Sequence, residues 1–271
     1  MSPVTDSRPI GMFDSGFGGL TVARAVIDLL PDEDVVYIGD TGRYPYGPRP
    51  LDEVRGFAHE ITKYLLDEHA VKLLVVACNN AAAAALKDLQ STVAVPVIGV
   101  IEPGVRSLIS ATRSGRVGVI ATAGTVASGA YQRAVAAVSA DVDLTCAACP
   151  GFVEFVERGD TDSDQVHVLA ERLLAPVCAA DVDTLLLGCT HYPYLARTIS
   201  DVMGRDVVLV SSADETAFDV RQRLLGSDLA APARRDASHR FYSSGDPVSF
   251  SAVGGRLFGP ELAHAGTVPW A

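Results

Sequence analysis

Short, predominantly apolar runs alternate along this chain with longer stretches in which apolar residues recur at three- and four-residue spacing. The short runs fall at 10–13, 35–38, 73–77, 97–99, 117–121, 144–147, 184–188 and 207–210. Their length and lack of polar alternation predict strands buried on both faces, as in a parallel sheet. The longer stretches, such as 51–68 and 164–180, predict amphipathic helices. The alanine run 81–85 favours a tightly packed helix. Strand–helix alternation over the whole length predicts an α/β fold with mainly parallel sheets.

An internal echo refines that expectation. Ile10-Gly11-Met12-Phe13-Asp14-Ser15-Gly16 resembles Val117-Gly118-Val119-Ile120-Ala121-Thr122-Ala123. Each precedes, at nearly the same distance, an apolar run ending in cysteine: Leu74-Val75-Val76-Ala77-Cys78-Asn79-Asn80 and Leu185-Leu186-Leu187-Gly188-Cys189-Thr190-His191. Two pseudosymmetric α/β domains are expected, 1–98 together with 212–271 and 99–211, with crossings near 96–104 and Ser211. The cleft between such halves is a favoured place for a small-molecule site.

Composition narrows the function. The chain has 271 residues, 48% hydrophobic and 20% charged, ordinary for a globular protein. A net charge of −11 argues against a nucleic-acid binder, which needs clustered Lys and Arg. No apolar run approaches the length of a membrane span, and the opening residues lack the basic and apolar regions of a signal peptide, so a cytoplasmic protein is expected. Five cysteines without an export signal read as free thiols. Cys146 and Cys149 form a lone C-x-x-C with no second pair, so no metal is expected. Cys178 reads as a small core residue, and His59, His69 and His167 as surface residues of helices. The three lysines (Lys63, Lys72 and Lys87) occupy no strand-end or loop position suited to a cofactor Schiff base, so no cofactor is expected.

The candidate chemistry lies at strand ends. One buried cysteine there is most simply a small hydrophobe. Two at matched positions suggest paired acid/base groups facing each other across a small substrate, the chemistry of stereochemical inversion. Each is followed by residues that can start a helix and offer polar contacts, Asn79-Asn80 and Thr190-His191. The glycines of Asp14-Ser15-Gly16-Phe17-Gly18-Gly19 allow close backbone approach to an anion, whereas no dinucleotide or phosphate-loop motif is present. Asp40-Thr41-Gly42-Arg43-Tyr44-Pro45-Tyr46-Gly47 predicts a rigid loop shaping a pocket.

Together these motifs resemble the bacterial glutamate racemases of the cofactor-independent aspartate/glutamate racemase superfamily. The resemblance covers 11–22 (GMFDSGFGGLTV), 37–48 (YIGDTGRYPYGP), 75–81 (VVACNNA), 95–104 (VPVIGVIEPG), 117–122, 149–159 (CPGFVEFVERG), 187–194 (LGCTHYPY) and 244–247 (SGDP), in family order. It implies a two-base mechanism in which Cys78 acts on the D-enantiomer and Cys189 on the L-enantiomer of glutamate. Asp14 would assist Cys78, while His191, helped by Glu157, would assist Cys189. Substrate would be held by Asp14, Ser15, Tyr46, Gly47, Asn79, Asn80, Thr190 and His191. The resemblance also implies a homodimer and a supply of D-glutamate to peptidoglycan synthesis. Aspartate racemase is the related alternative, and a DNA gyrase-inhibiting binding protein the alternative from another class. Two positions depart from the family: Asn80 stands where Thr is usual, and Glu154, expected to be exposed, where many relatives carry Pro. The short N-terminus implies no control by a cell-wall precursor.

Overall fold

The computed structural model describes residues 5–233 and 236–270. The reading of the N-terminus rests partly on residues 1–4, which lie outside the described residues. In chain order the strands and α-helices are β1 (Ile10–Asp14), α1 (Leu20–Leu29), β2 (Val35–Gly39), α2 (Leu51–His69), β3 (Leu73–Val76), α3 (Asn79–Thr92), β4 (Val97–Gly99) and α4 (Ile101–Ala111). There follow β5 (Arg116–Ala121), α5 (Ala123–Ala127), α6 (Ala130–Val138), β6 (Asp143–Ala148), α7 (Phe152–Arg158), α8 (Asp164–Ala179), β7 (Thr184–Leu187), α9 (Ala196–Met203) and β8 (Val208–Val210). The tail supplies α10 (Ala213–Leu225), β9 (His239–Ser243), α11 (Pro247–Phe258) and β10 (Gly266–Thr267).

The strands form two sheets with parallel pairings, ordered β10-β9-β2-β1-β3-β4 and β6-β5-β7-β8. The order 2-1-3-4 of the first four strands is repeated by 6-5-7-8, and the echoed sequences are the central strands β1 and β5. Register repeats as well: Gly11 lies opposite Leu74, and Gly118 opposite Leu185. Both glycines are needed for close packing, because a Cβ on Gly11 would lie 2.9 Å from Val71 and one on Gly118 2.7 Å from Leu185. Helices pack on both sheets, and the five alanines sit in α3, which lies along α2 with Ala81, Ala82, Ala84 and Ala85 buried.

The tail returns to the first sheet through β9, which pairs with β2. That strand was not anticipated: His239-Arg240-Phe241-Tyr242-Ser243 holds one aromatic pair between polar residues and has no apolar run of strand length. Cys178 is exposed and not in the core, because the buried stripe of α8 is Val166, Ala170, Leu174 and Val177 and the next position turns outward. His69 is half-buried, its ring packed against Tyr64 and Tyr242. Among the described residues no helix is long and apolar enough to cross a membrane.

At the edge of the first sheet farthest from the cysteines, Lys72 is fully buried and pairs with Glu33 at 2.5 Å. Its Nζ also donates to the Asp6 carbonyl at 2.6 Å, while Glu33 accepts the Ala231 N–H at 2.7 Å. The pair thus ties both the N-terminal segment and the tail to the base of β3. Removing one partner strands the other charge in the interior, so Lys72→Ala is expected to cost about 3–5 kcal/mol in urea unfolding. A loss below about 1 kcal/mol, the range of exposed pairs, would contradict this role.

Candidate active site

The carboxyl ends of β1, β3, β5, β6 and β7 converge on a cavity of about 140 Å³, room for one small molecule. Asp14, Ser15, Tyr46, Gly47, Cys78, Asn79, Asn80, Cys189, Thr190 and His191 all line it. Glu157, on α7, stands behind His191, with Oε1 3.0 Å from His191 Nε2. Every residue proposed from sequence for the site is therefore in the wall or in contact with it.

The two thiols have different surroundings. Cys78 is the residue before α3, at the positive end of the helix, and the N–H groups of Ala81 and Ser15 approach its sulfur. Its Sγ lies 3.8 Å from Ser15 Oγ. Burial nevertheless pushes the thiol up to about 12, and the Asp14 carboxylate adds to the shift. Asp14 is itself buried, which raises its pKa against the opposing pull of His191 and of donors from Gly16, Gly19 and Thr190. The Thr190 hydroxyl donates to Asp14 Oδ2 at 3.3 Å, joining the two strand-end motifs across the cleft.

Cys189 does not open directly into an α-helix. A 3₁₀ turn, Tyr192–Leu195, follows it, and α9 begins only at Ala196. A nearby ring replaces the helix end: His191 Nδ1 is 3.9 Å from Cys189 Sγ. Burial alone would lower the pKa of His191, but hydrogen bonds to Cys189 and Glu157 outweigh it and bring it up to about 10. At neutral pH the cleft thus holds a protonated Cys78 thiol on one side and an imidazolium beside the other sulfur.

Polar groups around the cavity are partly committed and partly free. Asn79 Oδ1 accepts from Tyr131 at 2.6 Å, whereas its buried Nδ2 has no protein partner among the described residues, leaving a donor for a ligand. Asn80 Oδ1 accepts from Thr122 at 2.9 Å and Thr125 at 3.0 Å, so the unusual amide bridges α3 to the start of α5. Gly47 makes a similar bridge, its carbonyl accepting the Gly124 N–H at 3.1 Å. The loop carrying Tyr46 and Gly47 is held by buried Asp40, which accepts from the Tyr46 hydroxyl, Arg43 Nε at 2.8 Å and Ser244 Oγ at 2.5 Å.

Four wall residues with polar or ionisable side chains were not chosen from sequence. Thr122 is the counterpart of Ser15 in the internal echo, a signal that could have found it. Tyr44 lies near Glu157, its phenol held up by burial and by that carboxylate. Cys149, read from sequence only as half of a lone C-x-x-C, is buried in the wall near Cys189; burial and that neighbour push it up to about 12. Glu154 is exposed as expected but stands at the cavity mouth. Among the described residues no group of three or more His, Cys, Asp or Glu is arranged to hold a metal ion.

The ion pair of His191 and Glu157 has a pH signature. Because the folded pKa is raised, its contribution to stability is present in full below about pH 6.5 and is lost as pH rises through about 10. Nitrogen NMR should find His191 titrating near 10, and Glu157→Gln should move that titration downward by removing an attraction that opposes burial. An unchanged titration in the variant would show that Glu157 does not hold the proton there.

The sequence and fold can now be set beside known proteins. The family model described as Asp/Glu/Hydantoin racemase matches residues 20–217. The chain is 52% identical to the glutamate racemase of Acidothermus cellulolyticus over 261 residues, covering 96% of this chain and 98% of that protein. Among solved structures it is similar to a glutamate racemase isoform from Bacillus anthracis, with a TM-score of 0.90, 41% identity and 96% of each chain covered. It is also similar to the Francisella tularensis glutamate racemase in complex with D-glutamate, with a TM-score of 0.90, 33% identity and 98% of each chain covered. With both cysteine motifs in one cleft and matches of this extent, the chain belongs to the Asp/Glu/hydantoin racemase family, and within it to the glutamate racemases.

Proposed function

We propose that this protein interconverts L- and D-glutamate, with Cys78 and Cys189 exchanging protons with Cα from opposite faces and no cofactor taking part. The observation that carries the reading is the meeting of two strand-end thiols, one from each sheet, in the wall of one small cavity. Relatives at about half identity bear the glutamate name, which favours glutamate over the aspartate alternative. The same proposal includes the division into 1–98 with 212–271 and 99–211, supported by the way strands sort between the sheets.

The α-proton of an amino acid is a weak acid, so its removal needs both a base and stabilisation of the negative charge that develops. In the L-to-D direction Cys189 takes the proton as thiolate, aided by the adjacent imidazolium of His191, which Glu157 holds in place. Cys78, protonated at neutral pH, returns a proton from the other face. In the reverse direction the roles exchange, with Asp14 placed to assist loss of the Cys78 proton. Ser15, Tyr46, Gly47, Asn79, Asn80, Thr190 and His191 hold the substrate. The unpartnered Asn79 amide and the N–H groups at the start of α3 are donors suited to its carboxylates. Exclusion of water from the cleft strengthens each of these contacts.

The wider role that follows is supply of D-glutamate for peptidoglycan synthesis by a cytoplasmic homodimer. The gyrase-inhibiting alternative would be separable from this chemistry and would survive Cys78→Ala.

Incubation with L-glutamate in deuterated water should yield D-glutamate carrying deuterium at Cα. Cys78→Ala and Cys189→Ala should each abolish full interconversion, because each thiol serves one face; near-normal turnover in either variant would end the two-base reading. Gly18→Ala is a geometric test, since a Cβ there would lie 2.4 Å from both His191 Nδ1 and Thr190 Oγ1. Displacing those groups is expected to lower kcat about 100-fold or more, read against an unchanged circular dichroism spectrum.

A further inference from the structure

Substrate and site carry charges that do not match in an obvious way. Glutamate is a net anion with two carboxylates, yet among the described residues neither Lys nor Arg lines the cavity. The imidazolium of His191 is already paired with Glu157, and Asp14 is buried behind the Thr190 hydroxyl. The remaining charged group of the wall is Glu154, in the first turn of α7, exposed and at the mouth. Its carboxylate makes no hydrogen bond or ion pair among the described residues. Arg158, four residues further along α7, stacks on Phe155, and Arg256 donates to the Glu157 carbonyl. Its charge reaches the wall, for the phenol of Tyr44, held up chiefly by burial, is raised further by Glu157 and Glu154.

We propose that Glu154 is a specificity-determining residue, an electrostatic filter at the mouth that weakens binding of the anionic substrate without touching the reacting atoms. The proposal rests on the glutamate reading above. Like charges in partly solvated surroundings repel modestly, and the repulsion is screened by salt. The net charge of −11 adds a long-range field of the same sign. Because the carboxylate stays in water and has no partner, its removal leaves no buried group unsatisfied. Glu154 therefore acts on affinity alone, and it does so equally for both enantiomers, which carry the same charge.

Glu154→Gln tests the filter. At low ionic strength KM for L- and for D-glutamate should each fall about threefold, by one common factor, with kcat and melting temperature unchanged. At about 1 M salt, where the Debye length is about 3 Å, variant and wild type should converge. The neutral amide glutamine, used as a competitive inhibitor, should bind both proteins alike. An unchanged KM at low salt, a difference that persists at high salt, or an equal gain for glutamine would overturn the filter. Wild-type protein that turns over no glutamate would instead overturn the substrate reading, and the filter with it.

Discussion

A parallel sheet sends the carboxyl ends of all its strands to one edge, where the following helices begin and backbone N–H groups are left free. Here two such sheets share one strand order, and the edges of both contribute walls to one cavity. That constraint decides which residues can meet. A residue just beyond β3 and one just beyond β7 occupy matched positions, so cysteines at both become partners across a ligand. Ser15 and Thr122, just beyond the central strands, are brought in by the same rule. The register of the central strands requires Gly11 and Gly118, because Val71 and Leu185 fill the space where a side chain would stand.

The symmetry stops at electrostatics. Cys78 has the N-terminus of α3 behind it and a buried carboxylate beside it, and burial with that negative neighbour leaves it a neutral thiol. Cys189 has only a 3₁₀ turn behind it, and an imidazolium fixed by Glu157 supplies the positive charge that a helix end would have given. One half thus uses fixed backbone dipoles and the other a titrating side chain. Thr190, donating to Asp14, couples the two, so the charge of one thiol's assistant is felt in the other half.

Much of this was legible in the chain because its strands are almost uniformly apolar, and an apolar run ending in Cys-Asn or Cys-Thr marks a strand end without ambiguity. Strand β9 was missed because it lacks that contrast: lying toward an edge, it carries only Phe241 and Tyr242 between polar residues. Cys178 was misplaced because a helix face is fixed by position to within one residue, and Val177 takes the inward place. Cys149 and Glu154 were out of reach for another reason. They enter the wall because β6 ends beside β5 and α7 packs on the 3₁₀ turn that follows β7, a tertiary adjacency that spacing along the chain does not encode. Asn80 was visible as a departure, but its partners Thr122 and Thr125 come from the start of α5, beyond a strand of the other sheet.

The chemistry places a stricter demand on this asymmetric site than on most. L- and D-glutamate have equal free energies in water, so the equilibrium constant for their interconversion is unity and kcat/KM must be the same in both directions. Unequal thiol surroundings cannot favour one direction at low substrate; they can only divide the cost differently between binding and turnover. In the proposed two-base mechanism, a neutral Cys78 opposite an imidazolium-assisted Cys189 would be the protonation state ready for the L-enantiomer. The D-enantiomer would then meet the other state, in which the proton has moved from Cys78 to the Cys189 side. The shared field of Asp14, Thr190 and His191 fixes the free-energy gap between those two states. That gap can appear as different KM and kcat values for the two enantiomers, but never as a different ratio.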